Sequence, residues 1–340
     1  MDYSGASSYV YAKACGMLSK TFTGRNAAAL FNAKSLSEIW ELVFKEPVPQ
    51  LPEQLLANKI EHDAVKKFVS QYIKLLSCYS KPDPLLIELL RRYDVLNLKV
   101  ISAALANGEQ ERPRVVKIGE YSKMNYDAWP NLRKITEESE FAWYGINSED
   151  DDHQKKDFKL DLQEVRVLWK YVNRVSDSSR SSLVEYYKRY YSIKNMLWAL
   201  RLKVYYKMPA QEIINNLFYV EDAPSAKDPV CGYAYEILDI PEDSYNDWME
   251  WRFSEFLNPH EDGSVWYIDP MWVEQKFRFG EEKEIKKIFY ANPMTYATLA
   301  SFFLLKLKEI DCIRAATEAL RLGAPNDDAI YAAGISSEEL

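Results

Sequence analysis

The chain has 340 residues, is 47% hydrophobic and 28% charged, and carries 43 basic against 51 acidic side chains for a formal net charge of −8. A chain of this length fits two or three domains of ~100–200 residues and can bury roughly three quarters of its unfolded surface, which excludes global disorder. The acidic balance argues against a nucleic-acid binder, whose affinity comes from neutralised phosphates, and only 11 Gly argue against Gly-rich phosphate loops and turn-rich β architectures.

Helical periodicity dominates in chain order. Ser35-Leu36-Ser37-Glu38 has the pattern of a capping box, in which the Ser hydroxyl accepts a free backbone N–H and Glu reaches back. A helix should follow through Phe44 and stop at Pro47-Val48-Pro49-Gln50-Leu51-Pro52, where three prolines cannot continue it. From Glu53 to Tyr79, the residues Val65, Phe68, Val69, Tyr72, Ile73 and Leu76 recur on one helical face. Asp83-Pro84 then reads as a cap and first helical residue. The next helix carries Leu86, Leu89, Leu90, Tyr93, Val100, Ile101 and Ala104 on its apolar face and ends near Asn107-Gly108. Residues 109–117 read as a linker. Weak periodicity from Val115 to Ile146 predicts loops at Trp129-Pro130 and Tyr144-Gly145 with a short helix between. Ser148 to Lys156 reads as a solvated charge run.

Helical pattern resumes at Leu160 and continues to about Tyr206, with a break at residues 176–182. A short helix should follow Pro209, and Pro224 and Pro229 bracket a second linker. The remainder is aromatic-rich and helical apart from Asn258 to Gly263, and a final helix spans about Thr295 to Leu322. Its apolar run Tyr296–Leu305 is half the ~20 residues needed to cross a bilayer. With no signal-peptide pattern at MDYSGASS, the chain reads as soluble. Cys15, Cys78, Cys231 and Cys312 lie too far apart for a disulfide framework or zinc ribbon. The 24 Tyr and nine Trp are assigned to packing between helices.

A short pattern occurs three times. Tyr93 to Lys99 (YDVLNLK), Tyr191 to Met196 (YSIKNM) and Lys308 to Arg314 (KEIDCIR) each place a polar residue three before a second polar or thiol residue, followed by an apolar one. The pairs are Asp94 and Asn97, Ser192 and Asn195, and Glu309 and Cys312, with Lys99 and Arg314 two residues further on. The offsets of 98 and 117 residues are each about one small domain. Pro209-Ala210-Gln211-Glu212-Ile213 and Pro325-Asn326-Asp327-Asp328-Ala329 follow the last two copies. Three related helical domains, 1–112, 113–225 and 226–340, is the economical description. Asn97 and Asn195 fall on apolar faces, Asn195 with Tyr187, Tyr191, Trp198 and Leu202, so their amides must be hydrogen-bonded. The polar pairs are expected to fix the packing of neighbouring helices.

These residues carry a resemblance. Tyr9-Val10-Tyr11-Ala12-Lys13-Ala14 with Met17-Leu18, the helix Ser35–Phe44, Tyr93 to Lys99 and Glu309 to Arg314 resemble the C subunit of V/A-type ATPases, called d in the eukaryotic vacuolar enzyme. The likeness covers most of the chain and is thinnest from Asn107 to Val165. The chain departs from the family pattern at Lys13-Ala14, where an arginine is common, at Ser192, where an acid is usual, and at Cys312, where Asn is usual. The resemblance implies an all-α protein of three similar domains in a funnel-like, pseudo-threefold arrangement. It implies a non-catalytic rotor subunit at the cytoplasmic face of the membrane, between the central-shaft subunits and the proteolipid (c/K) ring, that couples ATP turnover to proton or sodium transport. It implies no nucleic acid, no bound nucleotide and no cofactor.

The residues themselves announce no active site. His62, His153 and His260 lie in unrelated segments, with none at metal-ligand spacing. His260-Glu261-Asp262-Gly263 is the densest polar cluster and reads as a turn closed by Gly. Neither a phosphate loop with Lys-Ser or Lys-Thr nor Gly-x-Ser-x-Gly occurs. No catalytic, cofactor or metal residue is assigned. The rival descriptions are an unrelated helical scaffold, which composition and periodicity fit equally, and an enzyme with an unannounced pocket.

Overall fold

The computed structural model describes residues 2–146, 153–261 and 263–335. Helices make up 66% of the fold, with no strand among the described residues. Local chemistry sets many of their ends. The helix α1 (Tyr3–Leu18) starts where the Asp2 carboxylate accepts the Gly5 N–H at 3.0 Å. After the single turn α2 (Ala28–Phe31), α3 (Leu36–Phe44) opens on the expected box: Ser35 Oγ accepts from Glu38 N and Glu38 Oε2 accepts from Lys34 N. The prolines stop it, and α4 (Glu53–Leu76) begins directly after Pro52. Asp83 accepts the Leu85 N–H at 2.9 Å to start α5 (Pro84–Ala106), which closes at Gly108 with a left-handed φ of 70°.

The short α6 (Leu132–Thr136) occupies the weakly periodic stretch, between the predicted loops. The helix α7 (His153–Val172) starts about two turns earlier than the periodicity places it. This corrects part of the supposed solvated run. Lys156 is buried, its Nζ donating to Ile146 O at 3.1 Å and standing over the Tyr144 ring; residues 148–152 of that run lie outside the described residues. Then follow α8 (Arg180–Val204), α9 (Ala210–Asn215), α10 (Gly232–Ile237), α11 (Tyr245–Met249), α12 (Pro270–Ala291), α13 (Tyr296–Leu322) and α14 (Asn326–Ala332). The helices α9 and α14 both begin after an extended proline, Pro209 (φ −60°, ψ 147°) and Pro325 (φ −59°, ψ 144°), as the two proline-led sequences predict.

The helix α13 is the hub, packing on α1, α2, α3, α4, α5, α8, α12 and α14. Residues Tyr296 through Phe303 are buried at every position, which is why this stretch is apolar all round rather than on one face. Phe303 meets Phe68 and Tyr72 from α4 and Tyr93 from α5 at ring separations of 5.0–6.5 Å, each pair contributing about 0.5–1.5 kcal/mol beyond its buried area. A second, smaller core joins Val95, Leu98 and Ile101 of α5 to Tyr126, Ile135, Phe141, Tyr144 and Leu160.

The three helices that carry the repeated pattern, α5, α8 and α13, start at one end of the molecule. Asp177, just before α8, accepts the Tyr296 N–H at 2.6 Å and the Tyr3 hydroxyl at 2.7 Å, and Ser179 Oγ accepts the Ala297 N–H at 3.3 Å. Tyr79, five residues before the start of α5, packs its ring 5.7 Å from that of Tyr296. Two residues assigned to buried faces are instead open: Val100 on α5 is 46% exposed and Trp198 on α8 is 40% exposed. Total accessible surface is 17876 Å², against ~14,300 Å² for a compact monomer of this mass. No helix among the described residues is long and apolar enough to cross a membrane.

Candidate functional site

The repeated residues occupy buried positions of the same kind. On α5, Asn97 Nδ2 donates to Val116 O at 2.8 Å while its Oδ1 accepts from Val116 N at 2.9 Å. On α8, Asn195 Nδ2 donates to Phe218 O at 2.7 Å and its Oδ1 accepts from Phe218 N at 2.8 Å. Each amide thus clasps both backbone groups of one residue, 19 or 23 positions downstream, and so ties a returning segment to its helix. Asp94 and Asn97 do not bond each other. They meet through Tyr126, whose hydroxyl donates to Asp94 Oδ1 at 2.6 Å and accepts from Asn97 Nδ2 at 2.9 Å. Burial pushes the Asp94 carboxyl above its ordinary range, against the lowering effect of the Tyr126 and Ser122 hydroxyls. Ser192 donates to Pro229 O at 3.4 Å, and Asn195 also donates to Val230 O at 2.9 Å.

On α13 the clasp is gone. Cys312 is buried, and burial pushes its thiol up to about 12, so it stays protonated and unreactive. The returning segment is held from α12 instead, where Gln275 donates to Tyr331 O and Arg278 to Ala332 O. Glu309 accepts the Phe22 N–H at 3.0 Å and pairs with buried Lys306. The outer residues of the pattern form half-exposed ion pairs, Lys99 with Asp161 at 2.6 Å and Arg314 with Glu61 at 3.2 Å.

Equivalent positions of the three helices also converge on shared space. Eight residues before Asn97, Asn195 and Cys312 stand Leu89, Tyr187 and Leu304, and all three line one small inner cavity of about 30 Å³. Five residues before stand Arg92, Tyr190 and Leu307, and one residue before stand Leu96, Lys194 and Asp311. All six line one large open cavity of about 1140 Å³, whose wall is completed mainly by α12. The three helices thus share a small cavity and a large one. Val100 is exposed because it faces this cavity.

Buried groups stand one residue before Leu89, Tyr187 and Leu304 of the small cavity. Glu88 is 4% exposed and Tyr186 and Phe303 hold the matching positions on α8 and α13. The Glu88 Oε2 has no hydrogen-bond partner and stands 3.7 Å from the Arg91 guanidinium. Burial outweighs that charge and raises its carboxyl to about 7, with Glu140 and Glu164 adding to the rise. The histidines stay apart: His62 is half-buried on α4, and His153 and His260 are exposed. Burial lowers His62 below its usual value. No group of three or more potential metal ligands occurs among the described residues. Glu261 O accepts the Ser264 N–H next to Gly263 at φ 85°, the expected turn; Asp262 lies outside the described residues.

The family described as the ATP synthase (C/AC39) subunit matches residues 10–223. The chain belongs to this family. A protein of Treponema pallidum (strain Nichols), described as uncharacterized, is 24% identical over 320 residues, covering 93% of each chain, so the likeness continues past residue 223. The matched span of the ATP synthase (C/AC39) subunit family holds the two helices whose asparagines clasp a returning segment, while Cys312 lies beyond it.

Two features of these sites escape a reading by apolar periodicity. One is the partner of each asparagine, since nothing in the sequence marks Val116, Tyr126 or Phe218. The other is a basic stripe on α12: Lys276, Lys283 and Lys287 recur at i, i+7 and i+11 and face the cavity with Gly280 between them. That helical spacing was the available signal.

Proposed function

We propose that this chain is the non-catalytic central-stalk rotor subunit of a V/A-type ATPase. In this assignment the wide cavity receives the end of the central shaft of the ATP-hydrolysing head. The opposite end rests on the proteolipid ring, and the subunit sits peripherally on the cytoplasmic face of the membrane. It passes torque between ATP turnover and proton or sodium movement. Residues 1–112, 113–225 and 226–340 form three related helical domains in a funnel, with Asp94, Asn97, Ser192, Asn195, Glu309 and Cys312 as packing residues rather than chemical ones.

The observation that carries this reading is the convergence of matching positions on α5, α8 and α13, first around about 30 Å³ and then around about 1140 Å³, in a chain of the ATP synthase (C/AC39) subunit family. A torque adaptor needs a stiff body with a socket. Close-packed helices transmit strain, and the clasps fix their connections. The test is size-exclusion chromatography of the purified chain with the shaft subunits and with the detergent-solubilised proteolipid ring of the same genome. Co-elution with both is expected. Failure to bind either, with every component folded, refutes the rotor assignment.

A further inference from the structure

The wide cavity departs from the rest of the chain in charge. Its wall carries ten basic side chains and five carboxylates, although the whole chain has 43 basic against 51 acidic residues. Four of the five carboxylates are already answered by cations: Glu281 by Lys308, Glu284 by Arg189, Asp311 by Arg314, and Glu274 by Arg201 from behind the wall. In contrast, Arg92, Arg114, Lys194, Lys276, Lys283 and Lys287 reach no carboxylate within ion-pairing distance among the described residues. Like charges gathered in a concave wall raise the local potential and concentrate anions. Such a wall costs stability through self-repulsion unless something acidic fills it.

The same wall is not uniformly charged. Leu96 and Val100 are 42% and 46% exposed there, next to Ile193 and Leu197. A free polyanion has no use for aliphatic surface, whereas an amphipathic helix has both an apolar and a polar face. The size agrees: a helix ~11 Å across has a cross-section of ~95 Å², so a cavity of about 1140 Å³ takes ~12 Å of it, about two turns.

We infer that the cavity is an electrostatic socket whose occupant is an acidic, amphipathic helical end, that of the central shaft. This rests on the rotor reading and adds the chemistry of its contact. Lys283 and Lys287 are exposed and make no ion pair among the described residues, so reversing them leaves the core untouched.

The test measures binding of the full chain to the purified shaft subunits of the same genome by titration calorimetry. Affinity should fall about tenfold or more between ~50 and ~300 mM salt. A Lys283→Glu/Lys287→Glu chain, shown folded by circular dichroism, should lose about a hundredfold at the lower salt. The matching Lys→Arg chain should bind like the parent. Equal affinity across salt and variants overturns the socket while leaving the rotor assignment standing. No binding at either salt removes both. Inorganic tripolyphosphate that binds as tightly as the shaft and displaces it makes the wall a general polyanion site and also overturns the inference.

Discussion

The α8 and α13 copies of the repeated pattern meet the same demand by different means. Both must hold the chain where it returns across the helix, at or just after a proline-led short helix. On α8, one side-chain amide does this by pairing with both backbone groups of Phe218 and with Val230 O. On α13, a thiol stands at that position and the hold moves to Gln275 and Arg278 of the neighbouring helix. The i−3 partner moves too: Ser192 reaches downstream to Pro229, whereas Glu309 reaches back to Phe22. A repeat can thus keep its backbone geometry while relocating its polar contacts, provided each buried group still finds a partner.

This contrast can be broken by mutation. The largest effect is expected for Asn195→Ala, which leaves Phe218 N–H and Val230 O without their partner and Phe218 O with the Cys231 thiol alone; at ~1–3 kcal/mol for each unsatisfied buried group, a loss of about 4 kcal/mol should appear in urea unfolding. Asn97→Ala should behave similarly, since it strands both Val116 groups, while the Tyr126 hydroxyl keeps its bond to Asp94. Cys312→Ala, by comparison, should cost only about 1 kcal/mol, as a small cavity does. If the three alanine variants lose equal stability, the relocated hold on α13 is wrong.

Next comes the position that reads Glu88, Tyr186 and Phe303 across the three helices. The folded chain holds the Glu88 carboxyl at about 7, above its unfolded value of about 4.5. The unfolded chain therefore releases this proton first, and stability should drop as pH rises from about 4.5 to about 7, by roughly 3 kcal/mol. Glu88→Gln should remove that component of the slope and stabilise the chain at pH 8 while matching the parent near pH 4. An unchanged pH profile of unfolding would show that Glu88 is solvated.

A smaller loss, about 2 kcal/mol, is expected for Cys312→Asn. The asparagine that α5 and α8 carry at this position would here bury an amide with no clasped backbone to pair with, at a cost typical of an unpaired polar group. A variant as stable as the parent would mean that α14 can return to the clasp. The smallest effects belong to Lys99→Ala and Arg314→Ala, each expected below about 1 kcal/mol and fading with added salt, because half-exposed ion pairs contribute little.

Much of the helical order was legible because the signals are local. Ser35 with Glu38, Asp83 with Pro84, and the proline run before Glu53 act within one turn of the boundary they set. The buried state of Asn97 and Asn195 was legible as well, since each sits on an apolar face. Their partners were not, because Val116, Tyr126 and Phe218 are ordinary residues whose role arises only when the chain returns. The exposure of Val100 was hidden for a related reason. A helix with a core on one side and a cavity on the other carries apolar residues on both, and periodicity cannot tell a wall from an interior. The start of α7 was masked by its charges: His153 to Asp157 has no apolar residue to report a helix.

The contact between Glu309 and Phe22 joins residues 287 positions apart, and α1 and α2 both lie on α13. On a ribosome moving at ~5–20 residues per second, the first helices emerge roughly 15–60 s before the helix that will cover them. During that interval their apolar faces have no native cover. The molecule is thus finished only when its latest long helix closes over its earliest ones, which makes the newborn chain dependent on whatever shields those faces in the meantime.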